Sequence, residues 1–287
     1  MSIGPPTRLI EATLGRLPRR LTRLSGGCVG EVYLAEFDAG LEPLVIKLDR
    51  SEQPSLRREA FMLRLLRDLS TLPVPRVIAS DDRLLAMEYI ESGSTPGERG
   101  LVELAEAVAR LHGIHDRTFG LDEDTLIGPL PLPNQRSESW PMFFGEQRVR
   151  HFARQAHRAG RLTTELLRRC ERLADHMGEV IDCTEPPCLV HGDLWAGNVL
   201  WHRGRLAGVI DPACYFADRE VELAFMDLFG SFGPAFWDRY HEIRPIRPGF
   251  WQRRRHAYRI FPLLVHVHLF GGTYSAQLQC ELEAVGF

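Results

Sequence analysis

The sequence lacks the features that mark zinc-binding proteins, nucleic-acid-binding proteins and repeat proteins. Its six cysteines include no C-x-x-C pair, and no further ligands lie at the spacing of a zinc site. The formal net charge is only −3, so there is no basic excess to suggest a nucleic-acid partner. Neither internal repeats nor low-complexity tracts occur. We therefore expect a cytoplasmic globular protein with reduced thiols that does not bind nucleic acid.

A secretory signal and long apolar runs are missing as well. Residues 1–6 lack the charged stretch followed by an apolar one that a signal peptide has. The most apolar late run, residues 260–270, is too short to span a bilayer and contains a proline and two histidines. A soluble chain without a membrane partner is expected. Its 287 residues, 44% of them apolar, suffice to bury a core and to divide into two lobes.

The most informative motif that is present is HGDLWAGN at residues 191–198, followed by Asp211 thirteen positions later. Phosphoryl transfer needs a group that accepts the proton of the hydroxyl acceptor, and oxygen ligands that hold Mg²⁺ against the ATP phosphates. At the spacing used by kinase-type enzymes, Asp193 would be the catalytic base, and Asn198 and Asp211 the metal ligands. The motif is short, however, and its first three residues also occur by chance in turns.

The residues between the two predicted metal ligands support this interpretation. Two apolar-rich runs, 199–202 and 205–210, flank Arg203 and Gly204 and predict a hairpin. Such a hairpin would deliver both ligands to the same end of a cavity. Residues 188–190 predict a short buried strand that fixes the entry to the loop. His191 is interpreted as an orienting or packing residue rather than a proton donor.

The N-terminal third contains a glycine-rich turn between two predicted strands. The sequence SGGCVGEV at residues 25–32 matches the last part of the protein-kinase pattern G-x-G-x-x-G-x-V, with serine at the first glycine position. Glycine lets backbone N–H groups approach phosphate oxygens. A plain hairpin is the alternative. The residues predicted to contact the phosphates are Gly26, Gly27, Cys28, Val29 and Gly30.

A lysine in an apolar strand is the second kinase-like feature of this region. Lys47 lies within LVIKL, where its charge is costly to bury without a partner. Kinases use such a lysine to hold the nucleotide phosphates and pair it with a carboxylate on a helix. Glu59 is the predicted partner, on a helix that begins near Pro54 and has apolar residues at helical spacing. The alternatives are a solvated edge lysine and a solvated glutamate.

A composition shift at residues 91–97, ESGSTPG, predicts the boundary between two lobes. We expect an ATP-binding lobe over 1–90, a hinge over 91–97 and a catalytic and substrate-binding lobe over 98–287, which would open with a helix. Because they lie just before the hinge, Glu88, Tyr89 and Ile90 are predicted to present main-chain groups to adenine.

In order along the chain, the segments GGCVGEVY, PVPRVIA, FGEQRV, HGDLWAGNVLW, IDPACYFADREVELA and LFGGTY resemble the fructosamine kinase family, also called ketosamine kinases, within the aminoglycoside phosphotransferase-like kinases. The resemblance implies an α+β, two-lobed protein-kinase-like fold. Its small lobe would have an antiparallel sheet and one main helix, and its larger lobe would be mostly helical. The resemblance also implies use of ATP and Mg²⁺ to phosphorylate a ketosamine such as fructosamine or ribulosamine, usually on O3, with a role in protein deglycation.

The resemblance extends to individual residues. It implies the roles already given to Asp193, Asn198, Asp211, Lys47 and Glu59. Trp195 matches a tryptophan typical of the family and is expected to line the sugar pocket, the alternative being a core aromatic. Tyr215, Asp218 and Glu220 are further candidates for contact with the ketosamine and its cationic amine. An internal ion-pair network is the alternative for the acids, and is the favoured interpretation for Arg219.

Some positions depart from the family pattern and leave the function partly open. Glu222 replaces a shorter acid, and Gly30 replaces a residue that is often asparagine. Pro262 and His268 stand where the family tends to have histidine and asparagine, so the acceptor can differ. A kinase of an aminoglycoside, choline or methylthioribose would keep the same ATP-side residues, and a nucleotide-binding pseudokinase is the more distant alternative. Cys28 in the phosphate loop raises the choice between a monomer and a redox-sensitive homodimer.

Overall fold

The computed structural model describes residues 6–24, 30–38, 40–181, 185–229 and 232–287. Its N-terminal part is a five-stranded antiparallel sheet with a helix on each face. The strand order is β1-β2-β3-β5-β4. The elements are α1 (Pro6–Leu14), β1 (Arg20–Arg23), β2 (Glu31–Glu36), β3 (Leu44–Leu48), α2 (Leu56–Leu69), β4 (Val77–Ser80) and β5 (Leu84–Glu88).

The two faces of this sheet pack into different cores, because side chains alternate along each strand. One face packs with Ile10 of α1 in a small cluster that includes Ile46 and Leu84. Helix α2 instead buries the apolar stripe predicted for it, including Ala60 and Leu63, in the same core as the C-terminal part. The two parts of the molecule are therefore joined by continuous apolar packing through α2.

The C-terminal part is mostly helical. Helix α10 packs against three neighbours, α5, α8 and α11, and α3 packs against α9. The helices are α3 (Glu98–Leu111), α4 (Trp140–Phe144), α5 (His151–Arg158), α6 (Thr164–Asp175), α7 (Met177–Val180), α8 (Glu220–Phe229), α9 (Pro234–Ile243), α10 (Arg255–Phe270) and α11 (Tyr274–Ala284). Turns of π-helix, Gly145–Arg150 and Phe250–Arg254, precede α5 and α10, and a 3₁₀ turn spans Ala196–Asn198.

Three two-stranded sheets complete this part and position the predicted catalytic loop. Strands β8 and β11 pair before and after the loop, β9 and β10 form the hairpin that follows it, and β6 pairs with β7. Their bounds are β6 (Thr125–Ile127), β7 (Leu130–Leu132), β8 (Cys188–Val190), β9 (Val199–His202), β10 (Arg205–Val209) and β11 (Tyr215–Ala217). The predicted α+β architecture, with a small antiparallel-sheet lobe and a larger helical lobe, is confirmed.

The segment predicted as a hinge is hydrogen-bonded to the C-terminal part. The backbone N–H groups of Gly93 and Ser94 donate to the carbonyl oxygen of Trp201, at 3.0 and 3.2 Å, and Gly97 N–H donates to Gly204 O at 2.9 Å. A Cβ on Gly100 would lie 2.3 Å from that same Gly204 oxygen, so α3 approaches the β9–β10 turn closely. The division at residues 90 and 97 stays a prediction.

No helix in the part of the chain that the structure describes combines the length and the apolar character needed to cross a bilayer.

Candidate active site

The hairpin predicted between the two metal-ligand candidates is present. Strands β9 and β10 are antiparallel, with His202 opposite Arg205 at the closed end. The two turn residues have positive φ values, 50° at Arg203 and 76° at Gly204, as tight hairpin turns require. At the open end, Ile210 N–H donates to Asn198 O at 3.0 Å. Asn198 and Asp211 therefore emerge side by side, as predicted.

Backbone contacts press the loop before this hairpin against the segment that follows it. Ala213 N–H donates to His191 O at 2.8 Å. Gly192 has a φ of +84°, and a Cβ there would lie 2.2 Å from the carbonyl oxygen of Ala213. Only glycine fits at this point, because any side chain would meet rigid backbone. The loop is thus held in one position immediately before Asp193.

Asp193 and Asn198 contact each other directly. The Asn198 side-chain amide donates to the backbone oxygen of Asp193 at 2.8 Å and to its carboxylate at 3.2 Å. Desolvation raises the pKa of Asp193 well above its usual range, the negative charge of Asp211 adds to this, and the bond from Asn198 opposes it. The two predicted functional carboxylates are therefore close enough to sense each other's charge.

Lys47 joins the sheet of the N-terminal lobe to the catalytic loop region. Its ammonium group donates to Glu59 at 2.6 Å and also to a carboxylate oxygen of Asp211. Burial by itself would lower the pKa of Lys47, but the two carboxylates outweigh it and the pKa is raised. Lys47 and Glu59 are both buried, which excludes the solvated edge lysine and the solvated glutamate.

The donor atoms at this junction fit a magnesium ion. The Asn198 amide nitrogen is directed at Asp193, which leaves its carbonyl oxygen for another partner. Asp211 has a second carboxylate oxygen besides the one bound by Lys47, and its backbone has the uncommon φ of 56°. Mg²⁺ is typically held by one or two oxygen side chains while phosphates and water complete its octahedron. Asn198 and Asp211 would hold it here.

The predicted phosphate loop lies mostly outside the described residues. Gly26, Gly27, Cys28 and Val29 belong to that part, and their predicted roles stay predictions. Gly30 is described and has a φ of +76°, with the position of a Cβ only 2.2 Å from the carbonyl oxygen of Leu48. Glycine at this position is therefore required by the packing of the loop end on β3.

The three residues predicted to face adenine differ in their surroundings. Glu88 is the last residue of β5, and its N–H already donates to Arg76 O at 2.9 Å. Its side chain also accepts a bond from Arg76 N at 3.1 Å. The Glu88 amide is thus used by the sheet. Tyr89 and Ile90 are half-buried and follow the end of β5. The prediction that their main-chain groups contact adenine stays a prediction.

Trp195 lies on the surface of the catalytic loop. It is 39% exposed, and its ring covers Gly197 so closely that a Cβ there would lie 2.3 Å from the indole. The alternative interpretation of a core aromatic is therefore wrong. Contact with a sugar stays a prediction. The exposed ring lies two residues after Asp193 and three before Asn198 in the sequence.

The other three substrate candidates, Tyr215, Asp218 and Glu220, are interior residues, and their contact with a ketosamine stays a prediction. Asp218 binds Arg247 at 2.5 Å, and Glu220 binds Arg247 at 3.0 Å and Arg254 at 2.6 Å. Neither acid exceeds 1% exposure. Because buried carboxylates need counter-ions, these acids serve the internal ion-pair network, the alternative left open from the sequence.

Tyr215 is equally buried, beneath a guanidinium group. The Arg148 guanidinium carbon lies 4.1 Å from the centre of the Tyr215 ring, and both side chains are fully enclosed. Arg219 forms a two-pronged ion pair with Glu185 at 2.9 and 3.0 Å, as its favoured interpretation required. Arg247 and Arg254 were not predicted as counter-ions of Asp218 and Glu220. Their position after α9, around a π-helical turn, gave no local signal.

Comparisons with known proteins show the family of this chain. The model of a protein family described as fructosamine kinase matches residues 7–285. The chain belongs to the fructosamine kinase family. A probable ketoamine kinase of Vibrio parahaemolyticus is 32% identical over 271 residues, which cover 92% of this chain and 91% of that protein. A solved structure of a provisionally named fructosamine-3-kinase from Thermobifida fusca has 33% identity and a TM-score of 0.88, covering 99% of each chain.

A more distant likeness concerns the fold alone. The aminoglycoside phosphotransferase APH(4)-Ia has 18% identity and a TM-score of 0.65, covering 97% of both chains, and shows the shared fold. As a fructosamine kinase family member, this chain is an ATP-dependent phosphotransferase that acts on an alcohol group.

Proposed function

We propose that the protein is a ketosamine kinase that transfers the γ-phosphoryl group of ATP to a sugar hydroxyl, O3 in the first instance. The observation that carries this proposal is the convergence of five polar side chains from both lobes. Lys47 binds Glu59 and Asp211, while Asp193 binds Asn198 and senses the charge of Asp211. The names of the ketoamine kinase and fructosamine-3-kinase relatives support the choice of acceptor.

Each side chain has a distinct part in this proposal. Asp193 orients the acceptor hydroxyl and takes its proton, and Asn198 holds the Asp193 carboxylate in position. Lys47, fixed by Glu59, aligns the phosphates. Bound Mg²⁺ would neutralise charge on the phosphates as the phosphoryl group moves. The glycine-rich turn at 25–30 covers the phosphates, and Tyr89 and Ile90 face the adenine.

For contact with the acceptor we propose Trp195, and its exposure on the catalytic loop supports this choice. Trp195 can offer a ring face to the sugar or to the protonated amine of a ketosamine. Asp218 and Glu220 are already bound to arginines, so they are assigned no contact with that amine. Removal of glucose- or ribose-derived adducts from proteins is the physiological use that follows from such a reaction.

The proposed setting is the cytoplasm, where ATP is supplied and thiols stay reduced. The described cysteines are free thiols: Cys170, Cys188 and Cys214 in the interior and Cys280 on the surface. We propose a monomer that Cys28 can convert to a disulfide-linked homodimer under oxidation. Activity and oligomeric state after peroxide and then dithiothreitol, in wild type and in Cys28→Ser, test this. Equal responses of the two proteins would remove Cys28 from the proposal.

The function is tested by ATP consumption with fructosamine, ribulosamine and erythrulosamine, each free and attached to a peptide, beside an aminoglycoside, choline and methylthioribose. Turnover confined to ketosamines, with the phosphate located on O3 by NMR, is expected. Turnover with one of the other three metabolites would replace the proposed acceptor while keeping the kinase chemistry. Nucleotide binding without turnover of any acceptor would indicate a pseudokinase.

A further inference from the structure

A cavity on the larger lobe is lined by residues that have no assigned part in phosphoryl transfer. It has a volume of about 410 Å³ and lies against the π-helical turn Gly145–Arg150, α5 and α6. Small-molecule sites in proteins typically measure roughly 300–1,000 Å³. Glu146 and the apolar Leu167 belong to the lining. The basic side chains of the lining are Arg150, His151, Arg154, His157 and Arg158.

The segment that forms most of this lining is strongly basic. Residues 148–176 contain eight arginines and only three acids, whereas the whole chain has a formal net charge of −3. A concentration of positive charge on an otherwise acidic protein attracts anions to that place. An anion is therefore the class of ligand that suits the cavity.

Two of the cavity arginines are already paired with acids. Arg150 pairs with Glu146 and Asp175. Arg154 donates to Glu171 through Nε alone, at 2.8 Å, and its two terminal nitrogens have no bond to the described residues. Arg154 thus keeps the two terminal nitrogens of its guanidinium fork for a ligand.

Arg158 has no acid partner in the described part of the chain. Its Nε donates to the carbonyl oxygen of Arg154 at 3.3 Å, and the two arginines lie four residues apart on the same face of α5. Guanidinium forks bind phosphate oxygens two at a time. Nδ1 of His157 donates to Leu162 O at 2.8 Å, so its Nε2 can also donate to an anion once the ring is protonated.

The surroundings of His151 show that positive charge here is incompletely neutralised. Burial lowers the pKa of His151, the charges of Arg148 and Arg158 lower it further, and Asp124 opposes them. Arg148 is fully buried and, among the described residues, donates only to neutral oxygens. An anion in the cavity would offset these charges.

We propose that this cavity is a binding site for a phosphate group, carried either by inorganic phosphate or by a small sugar ester. Arg154 and Arg158 bind its oxygens, and His157 donates to it. The volume beside Leu167 accepts the organic part of an ester. A phosphate monoester carries between about −1.5 and −2 charges at pH 7, which suits two guanidinium groups better than a single carboxylate does. The site uses none of the residues assigned to ATP, Mg²⁺ or the acceptor.

The binding arm of the test follows the ring signals of His151 and His157 by NMR at constant ionic strength. Each signal is assigned by replacing that histidine with glutamine. The probes are inorganic phosphate and ribose 5-phosphate, and chloride is the control anion. We expect saturable shifts of both signals with the phosphates and none with chloride. Because the readout is local, phosphate bound at the nucleotide site does not contribute.

The second arm compares Arg158→Gln with Arg172→Gln, which removes the same charge from an exposed position on α6 outside the cavity lining. Loss of a hydrogen bond between charged groups should weaken phosphate binding roughly tenfold or more in Arg158→Gln. Arg172→Gln should leave the dissociation constant within about twofold, as expected for a screened distant charge. Both changes lie at exposed positions, and thermal unfolding checks that both variants are folded.

The outcomes separate the two sources of phosphate from a failure of the proposal. Tighter binding of ribose 5-phosphate than of inorganic phosphate supports the site and identifies an ester as its occupant. Equal binding of the two supports the site and identifies free phosphate. Shifts that do not saturate, or an equal loss of binding in Arg158→Gln and Arg172→Gln, overturn the proposal, because both indicate general attraction to surface charge.

Discussion

Replacing Lys47 by methionine should cost stability by an amount that depends on pH. The substitution keeps the volume of the side chain but leaves Glu59 buried beside an apolar group, and Glu59 now interacts with the ammonium at 2.6 Å. Breaking a buried pair typically costs about 3–5 kcal/mol. Glu59 can limit this cost by taking up a proton. From a reference pKa of about 4.3, protonation at pH 7 costs about 3.7 kcal/mol.

The sign of the pH dependence follows from this reasoning. Burial already raises the pKa of Glu59 in the wild type, against the opposing effect of the Lys47 ammonium, and Lys47→Met removes that opposition, so the folded variant keeps Glu59 neutral. The folded variant then binds more protons than the unfolded chain, and its deficit relative to wild type grows as pH rises above about 4.3. We expect a loss of free energy of unfolding of at most about 3.7 kcal/mol at pH 7 and at most about 1 kcal/mol at pH 5, because the pKa of Glu59 is already raised in the wild type.

Urea denaturation of wild type and variant at both pH values measures these losses. The double variant Lys47→Met/Glu59→Leu is the control, because two apolar groups replace the fully buried pair, and the Asp211 carboxylate that also loses the ammonium is 29% exposed to solvent. It should regain most of the stability at pH 7 and none of the turnover. A deficit that is the same at pH 5 and pH 7, or that persists in the double variant, would refute the assignment of the cost to the Glu59 charge.

Four further substitutions test other parts of the site. Asp193→Asn should keep ATP binding, measured by calorimetry, and lower turnover by roughly 10²–10⁴; undiminished turnover would contradict its role as base. Gly30→Ala should cost about 1–3 kcal/mol of stability in denaturant, because its backbone is left-handed and a Cβ would meet Leu48 O at 2.2 Å; a neutral result would mean that this loop end can shift. Glu220→Gln should lower stability by about 3 kcal/mol, because Arg247 and Arg254 each lose an ion pair while Arg247 keeps its bond to Asp218, whereas a change only in ketosamine KM would return it to the substrate site. Trp195→Ala should leave stability within about 0.5 kcal/mol, because the ring is 39% exposed, and raise the ketosamine KM about fivefold; steady-state kinetics with an unchanged KM would exclude ring contact.

Features encoded by neighbouring residues could be predicted from the sequence. Two apolar runs on either side of Arg203 and Gly204 predicted the β9–β10 hairpin, and the structure has both turn residues at positive φ. The hairpin alone was enough to predict that Asn198 lies beside Asp211. Helix α2 follows from an apolar stripe at helical spacing, which put Glu59 on the side facing the sheet. In both cases the deciding interactions lie within one or two turns of the chain.

The fate of the acids after β11 could not be predicted in this way. The carboxylates of Asp218 and Glu220 could bind a cationic amine of a substrate, and they could equally form an internal ion pair with arginine. The choice was made by Arg247 and Arg254, which lie 29 and 34 residues further along the chain and reach back across a π-helical turn. A carboxylate can be buried only where a counter-ion lies beside it, and here the counter-ions come from a distant segment of the chain.

The sequence by itself determined the two lobes, the hairpin, the glycine positions and the residue types needed for phosphoryl transfer, because each of these depends on local backbone preference or on chemistry carried by a single side chain. The tertiary structure alone decided that Lys47 meets Asp211 across 164 residues and that Glu222 reaches Gly192 and His112. Those contacts depend on how two packed lobes bring separate chain segments within hydrogen-bonding distance, and the energy of a charged group changes with its surroundings far more than with its neighbours in sequence.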